Sequence, residues 1–404
     1  MFEKSDRVKR LSGSERSQRP LVTPKGAIRL EMGEPDFPTP SHIQEAATRA
    51  MRNNHTHYGS AYGEPALREA VCASLKRDFS ADREPENVLI TSGGIAGIHT
   101  ICATYLNPGD EVLIPDPEYS AYADSVSLFG GTPIFVPLKE DFHIDFEAME
   151  KRISGKTRIA FISNPGNPTG RVLREDEIRS LARLAVKNDF LLVLDEAYHK
   201  LIYGGIKFFS ICQVEEARNR SILLNSFSKT YAMTGWRVGY MVADAPLIKE
   251  MVTFHKAMTT CPNVPAQMAC AAAASGPQEC VETMRQEYEK RKILIAQKLN
   301  EIQGLTTPPC EGAFYFFPRF QHSLTSQQMR EYLFSKGIMV RSGTEFGAGG
   351  QKHFRICFAT SMEILETGMA RLKQALDELT SEETGLLNSN YQYNKFTVRR
   401  MFER

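Results

Sequence analysis

Short apolar runs alternate with longer amphipathic stretches through the first two-thirds of the chain. The runs at 88–91, 111–114, 133–136, 158–162, 190–194, 221–225 and 238–242 have strand length, and several are apolar at every position. A strand that is apolar throughout needs cover on both faces, and the helical-period stretches between the runs supply it. The pattern predicts an α/β fold, a three-layer sandwich with a mostly parallel central sheet. From about Gln278 the character changes: a charged helix is predicted to Leu299, then 312–317 and 353–358 alternate as strands of a smaller α+β domain.

At 404 residues the chain exceeds what one hydrophobic core usually organises. It reads as an N-terminal arm (1–32), a small domain from 33–50 and 278–379, a large domain (51–277) and a polar C-terminal extension (380–404) carrying Tyr391, Tyr393 and Phe396. Within the small domain, Gly33-Glu-Pro-Asp-Phe-Pro-Thr-Pro40 is a proline-rich turn after which Ser41 is predicted to cap a helix running towards Met51.

A formal net charge of +1 offers no global field for nucleic acid or an acidic membrane. The basic arm (Lys4, Arg7, Lys9, Arg10, Arg16, Arg19) reads as solvated, because no nucleic-acid-binding module follows it. No signal peptide and no apolar stretch of spanning length is present. The eight cysteines form no Cys-x-x-Cys pair, which argues against a metal site or a disulfide framework and makes the cytoplasm the expected location.

In a parallel sheet, ligands gather at the carboxyl ends of the strands, and there the notable residues fall. Thr91-Ser-Gly93-Gly94 leaves a strand and opens a helix, a turn that serves either packing or an anion at the helix N-terminus. Asn164-Pro-Gly-Asn167-Pro-Thr-Gly170 follows another strand; its two Asn-Pro steps predict a stiff, extended loop presenting the Asn167 amide. Asp195 ends an apolar strand, where a carboxylate needs a cation such as a pyridinium N–H, or else caps a helix. Tyr198, three residues on, lies within reach of the same ring's phenolic oxygen. Lys229, flanked by Ser226 and Ser228 and followed by Arg237, suits a Schiff base beside a bound phosphate, and pyridoxal 5'-phosphate is the cofactor that fits.

These residues resemble those of the fold-type I pyridoxal-phosphate enzymes of the class I/II aminotransferase group. The likeness runs from about Gly33 to Leu379 through Gly33-Glu-Pro-Asp-Phe, Tyr58-Gly-Ser-Ala-Tyr-Gly, the Asn164 loop, Asp195-Glu-Ala-Tyr198, Ser226-Phe-Ser-Lys229 and Phe354-Arg355. The resemblance implies transfer of an α-amino group from an amino acid to a 2-oxo acid. Lys229 is then the internal Schiff-base lysine and proton shuttle, and Asp195 the pyridinium partner. Asn167 and Tyr198 become donors to the ring phenolate, and Tyr119 the residue stacked on the ring. Ser226, Ser228, Arg237 and the backbone of Gly93 and Gly94 become phosphate ligands. Arg355 is similar to the arginine that clamps the substrate α-carboxylate, with Gly33 and Asn167 beside it; Tyr58 is similar to a tyrosine that crosses to the neighbouring subunit's phosphate, implying a homodimer. Arg341 and Arg52 stay unassigned, and most of the aromatic run 314–317 reads as core.

The alternative is a pyridoxal-phosphate lyase or a C–C or C–S bond-forming enzyme of the same fold in specialised biosynthesis, which shares all these residues. A regulatory cofactor-binding domain is a third reading, and too little sequence precedes Gly33 to hold the DNA-binding domain it would need.

Overall fold

The computed structural model describes residues 2–12 and 25–388; Arg16, Arg19, Tyr391, Tyr393 and Phe396 lie outside them. Its centre is a seven-stranded sheet in the order Val88–Thr91, Gly239–Val242, Ser221–Ser226, Leu191–Asp195, Thr157–Ser163, Glu111–Asp116, Thr132–Pro137. All neighbours run parallel except Gly239–Val242, which is antiparallel to both strands beside it. Each of the seven strands predicted for this sheet is present, with bounds shifted by no more than two residues, whereas the predicted strand 312–317 is confined to Tyr315–Phe316.

Alternation along the strands divides the sheet's side chains between two cores. Ile90, Leu113, Ile162, Leu194 and Leu223 point to one face, covered by helices that include Pro65–Phe79, Glu175–Asn188 and Val264–Ser275. Leu89, Val112, Phe161, Val193 and Leu224 point to the other, covered by Gly94–Tyr105, Ala121–Leu128 and Ala245–Thr259. The sandwich is thus three-layered, as the continuous apolar strands required.

A third core gathers Met284, Tyr288, Ile295 and Leu299 of helix Glu279–Asn300, Phe314–Phe316, Phe354, Ile356, and Leu365, Leu372 and Leu376 of helix Met362–Asn388. Ile28 and Leu30 belong to it, and Ile28–Arg29 pairs in parallel with Ile338–Met339, so this part of the arm is a strand. Helix Ser41–Arg52, grouped by its sequence with the small domain, instead buries Ile43 and Ala47 in the core beneath the large sheet. Its alanine-rich face fits either partner, so periodicity alone does not choose. Ser41 does not cap that helix: Pro40 holds the N-cap position, and Ser41 is already helical. At the other end, helix Met362–Asn388 runs through residue 380 without a break.

The proline-rich turn ties the two parts together. Thr39 Oγ1 donates to the Ala232 carbonyl at 2.7 Å, Trp236 Nε1 donates to Thr39 Oγ1 at 3.0 Å, and Thr234 Oγ1 donates to Glu34. Arg291, buried in the third core, pairs with Asp36 at 2.7 Å. The Lys229 loop is thereby pinned between the two cores.

Candidate active site

A cleft of about 270 Å³ opens at the carboxyl ends of the central strands. Its lining includes Gly33, Gly94, Tyr119, Asn167, Asp195, Tyr198, Ser226, Ser228, Lys229, Arg237 and Arg355. Eleven residues chosen from sequence thus meet in one place. Gly93 lies immediately behind Arg237: a Cβ there would come within 2.5 Å of Arg237 Nη2. Tyr58 is not among the lining residues and is 87% exposed.

Lys229 sits in a four-residue helical turn, Phe227–Thr230, whose N-cap Ser226 accepts from the Ser228 N–H. Its Nζ donates to the Gly33 carbonyl. A side chain on Gly33 would collide with the Tyr315 hydroxyl, so only glycine lets this backbone approach so closely. Withdrawal from water into the cleft lowers the Lys229 ammonium to about 8, with the Arg355 and Arg237 guanidinium groups adding to the effect against Cys357 and Glu34. A minor fraction of the amine is therefore neutral near physiological pH, far more than an ordinary lysine supplies.

The proposed phosphate end combines the helix start at Gly94, the Ser226 and Ser228 hydroxyls 2.8 Å apart, and Arg237. Gly93 has φ +85° and ψ 169°, a conformation open essentially to glycine alone, and it turns the chain into a helix whose free N–H groups favour an anion.

Asp195 is recessed at the end of its strand, and burial raises its carboxyl to about 6 against the opposing hydrogen bonds from Tyr122 and the Ala197 N–H and the charge of Lys229. Tyr122 donates to Asp195 Oδ2 at 2.9 Å. Glu196 faces away from the cleft, fully buried, with Ser210 Oγ donating to it at 2.7 Å and the Ile211 N–H at 2.8 Å; burial pushes it up to about 8. Of the acidic pair, only Asp195 is presented to a ligand.

Arg355 is 6% exposed and forms no ion pair among the described residues. Its Nη1 donates to Asn167 Oδ1 at 2.9 Å and Nη2 to the Glu31 carbonyl at 2.7 Å, while Nε is buried without a partner. The guanidinium lies 4.2 Å from the Tyr315 ring centroid. A buried cation held by neutral groups alone calls for an external anion.

One expectation needs correction. The loop 164–170 is compact rather than extended: the Gly166 N–H donates to the Arg171 carbonyl at 2.8 Å and the Gly170 N–H to the Gly166 carbonyl at 2.9 Å, closing it on itself. The Tyr198 hydroxyl already has a neighbour, Tyr315 Oη at 2.8 Å, so a ligand would join a tyrosine pair. Sequence reading also missed Tyr122, Tyr315 and Ser163, which line the cleft. Tyr122 lies in the first turn of helix Ala121–Leu128, three residues after Tyr119, and that spacing does not set it apart from a core tyrosine. Arg341, left unassigned, lines the cleft next to Arg355 in the antiparallel register and pairs with Glu345 at 3.8 Å; Arg52 is exposed on its helix.

The family profile described as aminotransferase class I and II matches residues 25–372. The chain belongs to this family and is an aminotransferase of the mixed α/β fold-type I architecture. It is 39% identical over 361 residues to the aromatic-amino-acid aminotransferase 2 of Thermococcus litoralis and 38% identical to an aspartate aminotransferase of Pyrococcus abyssi, in each case covering 88% of this chain and 92% of the relative. Among solved structures, Thermus thermophilus aspartate aminotransferase with maleate superposes with a TM-score of 0.85 at 33% identity, covering 93% of this chain and all of that one. Membership implies pyridoxal 5'-phosphate as cofactor.

Proposed function

We propose that the cleft binds pyridoxal 5'-phosphate and transfers the α-amino group of an amino acid to a 2-oxo acid, with Lys229 as the covalent and proton-carrying residue. The observation that carries this is the convergence of a lysine lowered to about 8, a recessed carboxylate and a buried arginine without an ionic partner on one cleft. When bound, the cofactor supplies an electron sink for the pair of electrons left at the substrate Cα.

The chain's residues divide the remaining work. Arg237, Ser226, Ser228 and the backbone at Gly93 and Gly94 would hold the phosphate. Asp195, kept in place by Tyr122, would hold the ring nitrogen cationic. Tyr119 would cover a ring face, while Asn167 and Tyr198 would donate to the ring oxygen. Arg355 would take the α-carboxylate in a two-pronged grip beside Gly33, orienting the Cα–H towards Lys229, whose neutral amine would take up and hold that proton.

A homodimer is part of the reading: the 87% exposure of Tyr58 leaves it available to a second subunit's phosphate. The free cysteines fit action in the cytoplasm, and no helix among the described residues is long and apolar enough to cross a membrane. The cleft wall carries both Ile95 and Ile98 and the Arg341 guanidinium, and the relatives are named for both aspartate and aromatic amino acids, so a screen of amino acids identifies the donor.

The test is a half-reaction. With amino acid alone, the loaded enzyme should release one equivalent of 2-oxo acid per site and keep the amino group until a 2-oxo acid is added. Release of ammonia or of a side-chain leaving group would establish the lyase reading instead.

A further inference from the structure

An ion pair with no surface on the cleft lies directly behind it. Glu118 and Arg171 are 2% and 3% exposed, with Arg171 Nη2 3.4 Å from Glu118 Oε2. The same carboxylate accepts from the Tyr119 N–H at 3.0 Å, the Ser163 N–H at 3.1 Å and the Ser163 hydroxyl. Because that hydroxyl donates to Glu118, its lone pairs face the Asn167 N–H, which donates to it at 3.0 Å. Arg171 Nη1 donates to the Ser163 carbonyl at 3.0 Å, and Asn167 continues the chain of hydrogen bonds to Arg355.

Four donors converge on Glu118, and an ionised carboxylate answers them all as an acceptor. Burial pushes the Glu118 carboxyl up, and the Arg171 charge with these hydrogen bonds pulls it back towards the ionised form. A buried pair of this kind adds little to stability over well-packed apolar residues, so its value lies in what it orients.

We propose that Glu118, held by Arg171, is a positioning residue for the cofactor site. Its carboxylate fixes the backbone of Tyr119 at one end and, through Ser163, the backbone of Asn167 at the other. The ring-covering residue and the residue that reaches both cofactor and Arg355 are thus kept at one separation. The inference rests on the reading of Tyr119 and Asn167 as cofactor contacts given above.

Glu118→Gln tests it. The amide preserves shape but turns an N–H against one of the four donors and strips Arg171 of its counter-charge. Expected are a rise of at least fivefold in the dissociation constant of pyridoxal 5'-phosphate from the apoenzyme and a fall of roughly ten- to a hundredfold in kcat/KM, the scale of sub-ångström to ångström misplacement, in protein whose folded fraction is unchanged. Ser163→Ala, which cuts only the link from Glu118 to Asn167, should move both quantities in the same direction and carries the test if the glutamine variant does not fold. Cofactor affinity and kcat/KM within twofold of wild type, or losses that vanish once scaled to folded protein, overturn the proposal. Tyr119→Ala and Asn167→Ala separate the levels: if they weaken cofactor binding and Glu118→Gln does not, this inference alone fails. If they too leave cofactor binding untouched, the site reading fails and takes the inference with it.

Discussion

The Arg355 guanidinium donates to the Asn167 side-chain oxygen at 2.9 Å while facing no carboxylate among the described residues. One fork is thus oriented in advance, and the remaining donors await an anion. Lysine in its place keeps the charge but loses the planar grip. Arg355→Lys should lower kcat/KM about a hundredfold, mainly through KM and for every amino-acid donor alike. Steady-state kinetics with two chemically different donors check this; unchanged KM would remove the carboxylate role.

The lowered Lys229 ammonium gives a pH signature in the apoenzyme. Its ordinary value is 10.5, so between about 8 and 10.5 the unfolded chain holds the proton and the folded one does not, and this residue's contribution makes stability rise with pH across that window. Reaction of the free amine with an acylating reagent should reach half its limiting rate near pH 8. A midpoint near 10.5 would show an amine not activated by its surroundings.

Asp195 works in the opposite sense. Its folded value of about 6 lies above the ordinary 3.8, so the folded apoenzyme holds an extra proton between them and loses stability as pH rises through that window. The span corresponds to roughly 2 kcal/mol after allowance for its partial access to water. Asp195→Asn should abolish this slope in thermal melts of the apoenzyme between pH 4 and 6 while lowering kcat of the loaded enzyme by at least a hundredfold. A wild-type slope retained in the variant would assign the effect elsewhere.

Gly93 joins two constraints, a backbone conformation that side chains rarely adopt and a Cβ position 2.5 Å from Arg237. Gly93→Ala should weaken pyridoxal 5'-phosphate binding about tenfold or more by displacing Arg237, a strain of order 1–3 kcal/mol. Equilibrium titration of the apoenzyme measures it, and unchanged affinity would separate this turn from the phosphate.

The seven strands were legible because each is a short apolar run bounded by turns, and a sheet covered on both faces leaves no other place for it. Asp195 and Arg355 were legible because a charged group at the end of, or inside, an apolar strand is out of place without a ligand, and Lys229 because Ser226 and Ser228 flank it with Arg237 following. Tyr122 was not, since a tyrosine on an amphipathic helix reads as core until its hydroxyl is seen 2.9 Å from Asp195. Glu118 and Arg171 were hidden for a related reason: 53 positions apart, they meet only when the ends of two strands and the closed loop after Ser163 come together. Helix Ser41–Arg52 shows the limit for packing, because a small-residue face carries no mark of its partner.

The most direct measurement is chemical. Borohydride reduction of the protein loaded with pyridoxal 5'-phosphate, followed by proteolysis and mass spectrometry, should place one phosphopyridoxyl group on the peptide containing Lys229 and none elsewhere. Labelling of a different lysine, or a protein left unmodified, would contradict the account.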